Sequence, residues 1–181
     1  MRKFLKTENL GNLKIMITAA VFAAISIVCG KFLAFSIGET IRFSLENLPL
    51  ILTGALFGPA VAALTGLVAD LVGCILRGYA INPIITLASV FIGFAAGVVF
   101  SALKTKNIHL KIAVAVIICH SIGSVIIKTV GLSVMLSYPF IPTLLSRILN
   151  YVVVAAIEFI FLEILLKNKS LLKTLGGNNE L

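Results

Sequence analysis

The sequence predicts an all-α integral membrane bundle of six transmembrane helices with both termini in the cytoplasm. Three observations predict it: long apolar runs, a Gly58-Pro59 break inside the longest of them, and basic clusters that fall on one side only if the number of crossings is even. Hydrophobic residues make up 60% of the chain against 12% charged, and the mean hydropathy is +1.14, more apolar than a water-soluble domain requires.

A run of about 20 apolar residues crosses a hydrocarbon core of about 30 Å as a helix. Such runs occupy 15–37, 48–76, 83–103, 109–136 and 143–166. The first is expected to stay as a helix and not to be cleaved as a signal peptide, because no small-residue cleavage site leads into a polar domain. The second is too long for one crossing. Pro suits the first turn of a helix but not its interior, so Gly58-Pro59 divides this run into a short second helix, about 48–57, and a third that begins at 59. The fourth helix, 83–103, contains no charge, and the last two runs supply helices five and six. Residues 1–13 then form a cytoplasmic segment, 14–167 the six-helix domain and 168–181 a cytoplasmic tail.

Charge tests the split. Lys and Arg close to membrane ends stay on the cytoplasmic side. With six helices, Arg2, Lys3, Lys6 and Lys14, the cluster Lys104, Lys106 and Lys111, and the cluster Lys167, Lys169 and Lys173 all lie inside, while the outer loops hold only Arg42 and Arg77. Five helices would put both later clusters outside. The net charge of +8 is therefore topological, and no nucleic-acid partner is expected. Cys29, Cys74 and Cys119 fall in three different helices without paired spacing and read as small packing residues. There is no G-x-x-x-x-G-K-[ST] loop, H-E-x-x-H or G-x-S-x-G, so the chain is not expected to be an enzyme or to hydrolyse ATP.

The second helix is short for a crossing. The outer stretches beside it in the topology, 36–47 and 77–83, are expected either to line or lid a cavity or to serve as ordinary loops. Asp70, Lys128 and Arg147 lie about 10–12 Å below the outer ends of their helices. Intramembrane ionisable groups cost on the order of 3 kcal/mol each, so they face a bundle interior or a watery pocket. Asn150 is one turn from Arg147. Two readings follow: a neutralised network that joins Asp70 to Lys128 or Arg147, or an outward-facing site for a small anionic solute, since Arg offers a planar fork to carboxylates. Glu39 and Glu46 in the first outer loop reduce the cationic excess. His120 reads as a packed polar residue, and Glu158 and Glu163 as inner-half acids that face partners or pair with terminal lysines.

Small residues recur at four-residue spacing: Ala19 with Ala23, Ala20 with Ala24, Gly54 with Gly58, and Gly93 with Gly97. Such rows let helices approach closely in lipid. The glycines read as internal packing and the alanines as a face for a separate partner.

Taken as a string, Arg42-x6-Pro49-x4-Gly54-x3-Gly58-Pro59, Gly66-x3-Asp70-x2-Gly73 and Asn82-Pro83 leading into Gly93-x3-Gly97 resembles the S component of energy-coupling factor (ECF) vitamin transporters, and most closely the folate-type branch. Ser121-x2-Ser124, Lys128-Thr-Val-Gly-Leu132, Tyr138-Pro-Phe140 and Leu145-Ser-Arg147-x2-Asn150 agree, so that the resemblance spans about 14–167. It implies a cell-membrane, multi-pass subunit that captures a vitamin outside and docks on a transmembrane T component carrying two ATPase subunits. The S component then topples to release its cargo inside. ATP is used by those partners, and no cofactor is expected in this chain.

The resemblance also implies roles. Ala19, Ala20, Ala23 and Ala24 match the docking face, and 36–47 and 77–83 match gates over the pocket. The substrate-binding set is Arg42, Phe43, Asp70, Tyr79, Asn82, Lys128, Arg147 and Asn150. For a folate, Asp70 and Asn150 would accept from the pterin, Arg42, Arg147 or Lys128 would pair with the glutamate carboxylates, and Tyr79 and Phe43 would stack. Folate-type relatives are richer in aromatic residues and proline between helices three and four than the Leu-Arg-Gly-Tyr-Ala-Ile-Asn-Pro segment here, and this chain has no Trp, which leaves pantothenate, another carboxylate-bearing vitamin, or a modified base open. A stand-alone ion-coupled carrier is the alternative of a different class.

Overall fold

The computed structural model describes residues 7–37 and 41–175. Six helices build the bundle: α1 (Leu13–Phe32), α2 (Asn47–Phe57), α3 (Pro59–Arg77), α4 (Pro83–Ala102), α5 (Ile108–Leu136) and α6 (Phe140–Lys167). Two short antiparallel strands, β1 (Phe35–Ile37) and β2 (Ile41–Phe43), connect α1 to α2. A short helix, α7 (Lys169–Leu175), follows α6. Among the described residues five helices are long and apolar enough to cross a membrane, and α2, with 11 residues, is the shorter sixth.

The boundaries follow local chemistry. Asn12, Asn82 and Asn107 cap α1, α4 and α5, each side-chain oxygen accepting from two backbone N–H groups of the first turn. Between α2 and α3 the backbone turns at Gly58, where φ is 90°, and Pro59 opens α3. A side chain would be strained at that φ, so the glycine makes the elbow possible. Gly78, with φ 65°, ends α3.

The inner half of the bundle is held by backbone contact. An added Cβ on Gly97 would strike the backbone of Pro59, one on Gly93 the carbonyl of Ala62, and one on Gly66 the carbonyl of Ser89. α3 and α4 therefore run antiparallel at glycine-limited distance, and Gly54 brings α2 onto the same surface of α4. Apolar side chains fill the remaining space, with Phe57, Ile51, Ile92 and Ile112 fully buried. Removing such surface from water is not the driving force in lipid, so close packing takes its place.

Both described ends of the chain lie at this inner end. Asn9, in a turn of 3-10 helix at Thr7–Gly11, donates from Nδ2 to the Phe57 carbonyl at 2.8 Å. At the other terminus, Leu172 of α7 is buried and belongs to the core cluster. The stretch expected as a tail from 168 thus begins with a helix packed on the bundle.

Two further differences from expectation concern the outer side. α1 ends at Phe32, short of the expected 37, and the stretch 36–47 contains a hairpin in which Ser36 stands opposite Arg42. The expected alanine face also divides: Ala19 and Ala23 are buried inside the bundle, and only Ala20 and Ala24 point outward. Adjacent rows on a helix differ by about 100° in direction, so both rows cannot share one face.

Candidate functional site

α2 starts at mid-depth. Asn47, its first residue, donates from Nδ2 to Ser124 Oγ of α5 at 3.1 Å, and Ser26 of α1 donates to the Glu46 carbonyl at 2.6 Å. Its 11 residues cover about 16 Å at 1.5 Å each, half of a bilayer core. Above it the bundle holds a cavity of about 590 Å³, walled by α1, α3, α5 and α6 and reached by the 78–82 loop. That size lies in the range of small-molecule sites.

Six of the eight expected binding residues line this cavity: Asp70, Tyr79, Asn82, Lys128, Arg147 and Asn150. Phe43 does not. It lines a separate hollow of about 230 Å³ with Cys29, Phe35 and Val154, because β2 turns that ring away from the cavity; the stacking role expected of it is corrected. The side chain of Arg42 lies outside the described residues, as does Glu39. Asn82 is present in the wall, but its amide is engaged on both sides: Oδ1 caps α4, and Nδ2 donates to the Gly131 carbonyl of α5 at 2.8 Å.

The charges pair differently from the expected network. Asp70 does not meet Lys128 or Arg147. Its Oδ1 lies 3.9 Å from Lys31 Nζ and its Oδ2 accepts from Thr86 at 2.7 Å. Lys128 pairs with Glu46. Glycines explain the choice: the Lys31 stem lies over Gly73 of α3, and the Glu46 side chain lies over Gly30 of α1. Lys31 lies within a wide π-helical stretch, Val28–Phe32 of α1, and Lys128 directly follows another, Cys119–Ile127 of α5. Such stretches rotate the residues beyond them relative to a regular helix and recur at functional sites.

Arg147 is different from both lysines. Nη1 donates to the Ser124 carbonyl at 2.9 Å and to the Tyr151 hydroxyl at 3.5 Å, and the guanidinium lies 5.9 Å from the Tyr151 ring centroid. Among the described residues it makes no ion pair with a carboxylate. A guanidinium has five donors; both of these hydrogen bonds use Nη1, and Arg147 lines the cavity. The three tyrosines of the chain, Tyr79, Tyr138 and Tyr151, all line the same space, and Lys31 Nζ sits 5.8 Å from the Tyr79 ring.

Lys31, Glu46, Tyr138 and Tyr151 were not in the expected binding set. Tyr151 had a signal, since it follows Asn150 directly and lies one turn from Arg147. Lys31 had a weaker one, as a lone cation near the end of an apolar run. Glu158 is corrected as well: it faces neither a partner nor a terminal lysine but is fully buried, with Oε2 2.8 Å from His120 Nε2. Glu163 does pair at the inner end, with Lys167 at 2.7 Å and His109 at 2.8 Å.

A membrane bundle with a closed, glycine-packed inner half and a polar cavity in its outer half defines a small-solute binding protein. Residues 14–168 match the family described as ECF transporter, substrate-specific component, and the chain belongs to that family. Its members are the binding parts of transporters and not enzymes; membership implies a multi-pass membrane location, partners from an ECF module and a small substrate. No curated protein matches the chain in sequence. Its fold is shared by solved structures, among them these three. FolT bound with folic acid is 24% identical, with a TM-score of 0.69 over 83% of this chain and 90% of that one. ThiT from Listeria monocytogenes is 22% identical, with a TM-score of 0.71 over 87% and 96%. The S-component for biotin from an ECF-type ABC transporter is 19% identical, with a TM-score of 0.66 over 86% and 92%.

Proposed function

We propose that this chain captures an anionic vitamin, a folate before others, from the outer side and delivers it inward with a T component and two ATPase subunits. One observation carries the reading: Arg147 faces the cavity with no carboxylate partner among the described residues, while Lys31 and Lys128 are each matched by an acid of the chain. A ligand carboxylate would complete the set by forming two parallel charge-assisted hydrogen bonds with the guanidinium.

Folate fits this arrangement at both ends. The glutamate tail brings carboxylates to Arg147, and Asp70 and Asn150 can accept from the N–H edge of a pterin. Tyr79 and Tyr151 offer ring faces along the walls. Fold similarity does not select the vitamin, since FolT bound with folic acid, ThiT and the S-component for biotin resemble this chain to comparable degrees. Pantothenate also carries a carboxylate and is the second vitamin to test. For docking on the T component, the outward row Ala20 and Ala24 replaces the four-alanine face.

Purified protein is expected to gain thermal stability with folic acid by ligand linkage, and to support uptake only when a T component and ATPases are co-expressed. A stabilising shift with thiamine and none with folic acid or pantothenate would refute the anionic reading. Uptake into proteoliposomes on an ion gradient without ATP would refute the shared-engine reading.

A further inference from the structure

Glu158 is fully buried and does not line the cavity. An ionisable group held at membrane depth is costly, and its retention points to a task. Its partner is His120, which is 4% exposed and contacts Glu158 at 2.8 Å. The His120 ring in turn packs on Tyr151, with centroids 5.1 Å apart and planes tilted by 38°. Tyr151 lines the cavity, receives a long hydrogen bond from Arg147 at 3.5 Å and lies under its guanidinium. A continuous column therefore runs from the bundle centre to the cavity wall: Glu158, His120, Tyr151, Arg147.

α6 supplies three members of this column from one face, since Arg147, Tyr151 and Glu158 are separated by four and seven residues. α5 supplies only the imidazole. Without the Glu158 bond no other side-chain hydrogen bond orients the ring, because Nδ1 makes none among the described residues. Glu158 Oε1 is equally unpartnered there, so the pair is held by a single hydrogen bond.

We propose that His120 and Glu158 are positioning residues for ligand capture: their hydrogen bond fixes the imidazole on which Tyr151 packs, and Tyr151 holds Arg147 toward the cavity. The proposal rests on the cavity being the solute site. A purely structural staple behaves differently, because breaking it by removing one partner lowers stability and leaves the cavity walls and their affinity unchanged. Stability and capture therefore separate in the right variants.

The test uses the full chain purified in detergent, with folic acid and pantothenate as probes. The protein has no Trp and its three tyrosines all line the cavity, so tyrosine emission reports on the walls of the site without any ligand. Glu158→Leu leaves the buried imidazole without its partner and is expected to lower the Tm, to change tyrosine emission, and to lower affinity for the bound probe about tenfold, the loss of one well-placed charged contact. Glu158→Gln, which can still hydrogen-bond His120, is expected to retain wild-type emission and affinity within about twofold. Wild-type emission and affinity in Glu158→Leu would overturn the proposal, as would an equal fall of affinity and Tm in both variants. Should Glu158→Leu fail to fold, His120→Gln decides: it removes the ring beneath Tyr151, and unchanged emission would overturn the proposal. If the wild type takes up neither probe, the functional reading fails, and the ligand-free emission of the same variants still decides this one.

Discussion

Around Gly58 the helices meet backbone to backbone, with Gly97 against Pro59 and Gly93 against Ala62; above Asn47 the same bundle stands apart around about 590 Å³ of space. The two halves share α1 and α3 to α6 but not residue types. Inner positions are glycine, alanine and large aliphatics, and outer positions are Lys31, Glu46, Asp70, Lys128 and Arg147. A short chain thus makes a solute site in a membrane by stopping one helix halfway, and among the described residues the slot it leaves is lined by charges of which Arg147 alone has no ion-pair partner.

The comparison breaks most severely if the inner half is loosened. Gly97→Val drives a side chain into the Pro59 backbone, and we expect it to cost at least about 3 kcal/mol or to prevent folding, read as the loss of a thermal transition in detergent. Folding of Gly97→Val with wild-type stability would show that the backbone contact is not what holds the inner half.

A smaller effect is expected where an outer pair is broken. Lys128→Met leaves Glu46 without its lysine and is expected to lower stability by about 2 kcal/mol, while the double variant with Glu46→Gln recovers most of the loss, since an unmatched charge costs more than a missing pair. Denaturation of the four proteins of this cycle measures the coupling directly. Additive losses would contradict the pairing.

Arg147→Ala sharpens the contrast further, because it should affect capture and not the fold. Folic acid affinity is expected to fall by more than about 1.5 kcal/mol, with the Tm of the ligand-free protein nearly unchanged. Ala20→Leu is expected to have the least effect on the isolated chain, leaving binding intact and lowering only uptake by the assembled transporter. By contrast Ala23→Leu, at a buried position, should reduce stability first.

Much of this division was legible in the residues. Gly58-Pro59 announced the short α2, since proline cannot continue a helix, and the cost of intramembrane charge singled out Asp70, Lys128 and Arg147. Depth along a helix follows from counting residues; direction around it does not. That is why Asp70 was matched to cations of the right depth on the wrong helices, and why Ala19 and Ala20 looked equivalent although one is buried and the other exposed. The β1–β2 hairpin is made of strands three residues long, too short to show an alternating pattern. Glu158 and His120 are 38 residues apart, and nothing in either segment names the other.

The central claim is that the guanidinium of Arg147, which has no carboxylate partner among the described residues, selects an anionic vitamin in the outer cavity. Mass spectrometry of the small molecule released from purified wild type and from Arg147→Ala tests it most directly. A carboxylate-bearing vitamin carried by the wild type and depleted in the variant is the expected result; a cationic or neutral compound retained equally by both would contradict it.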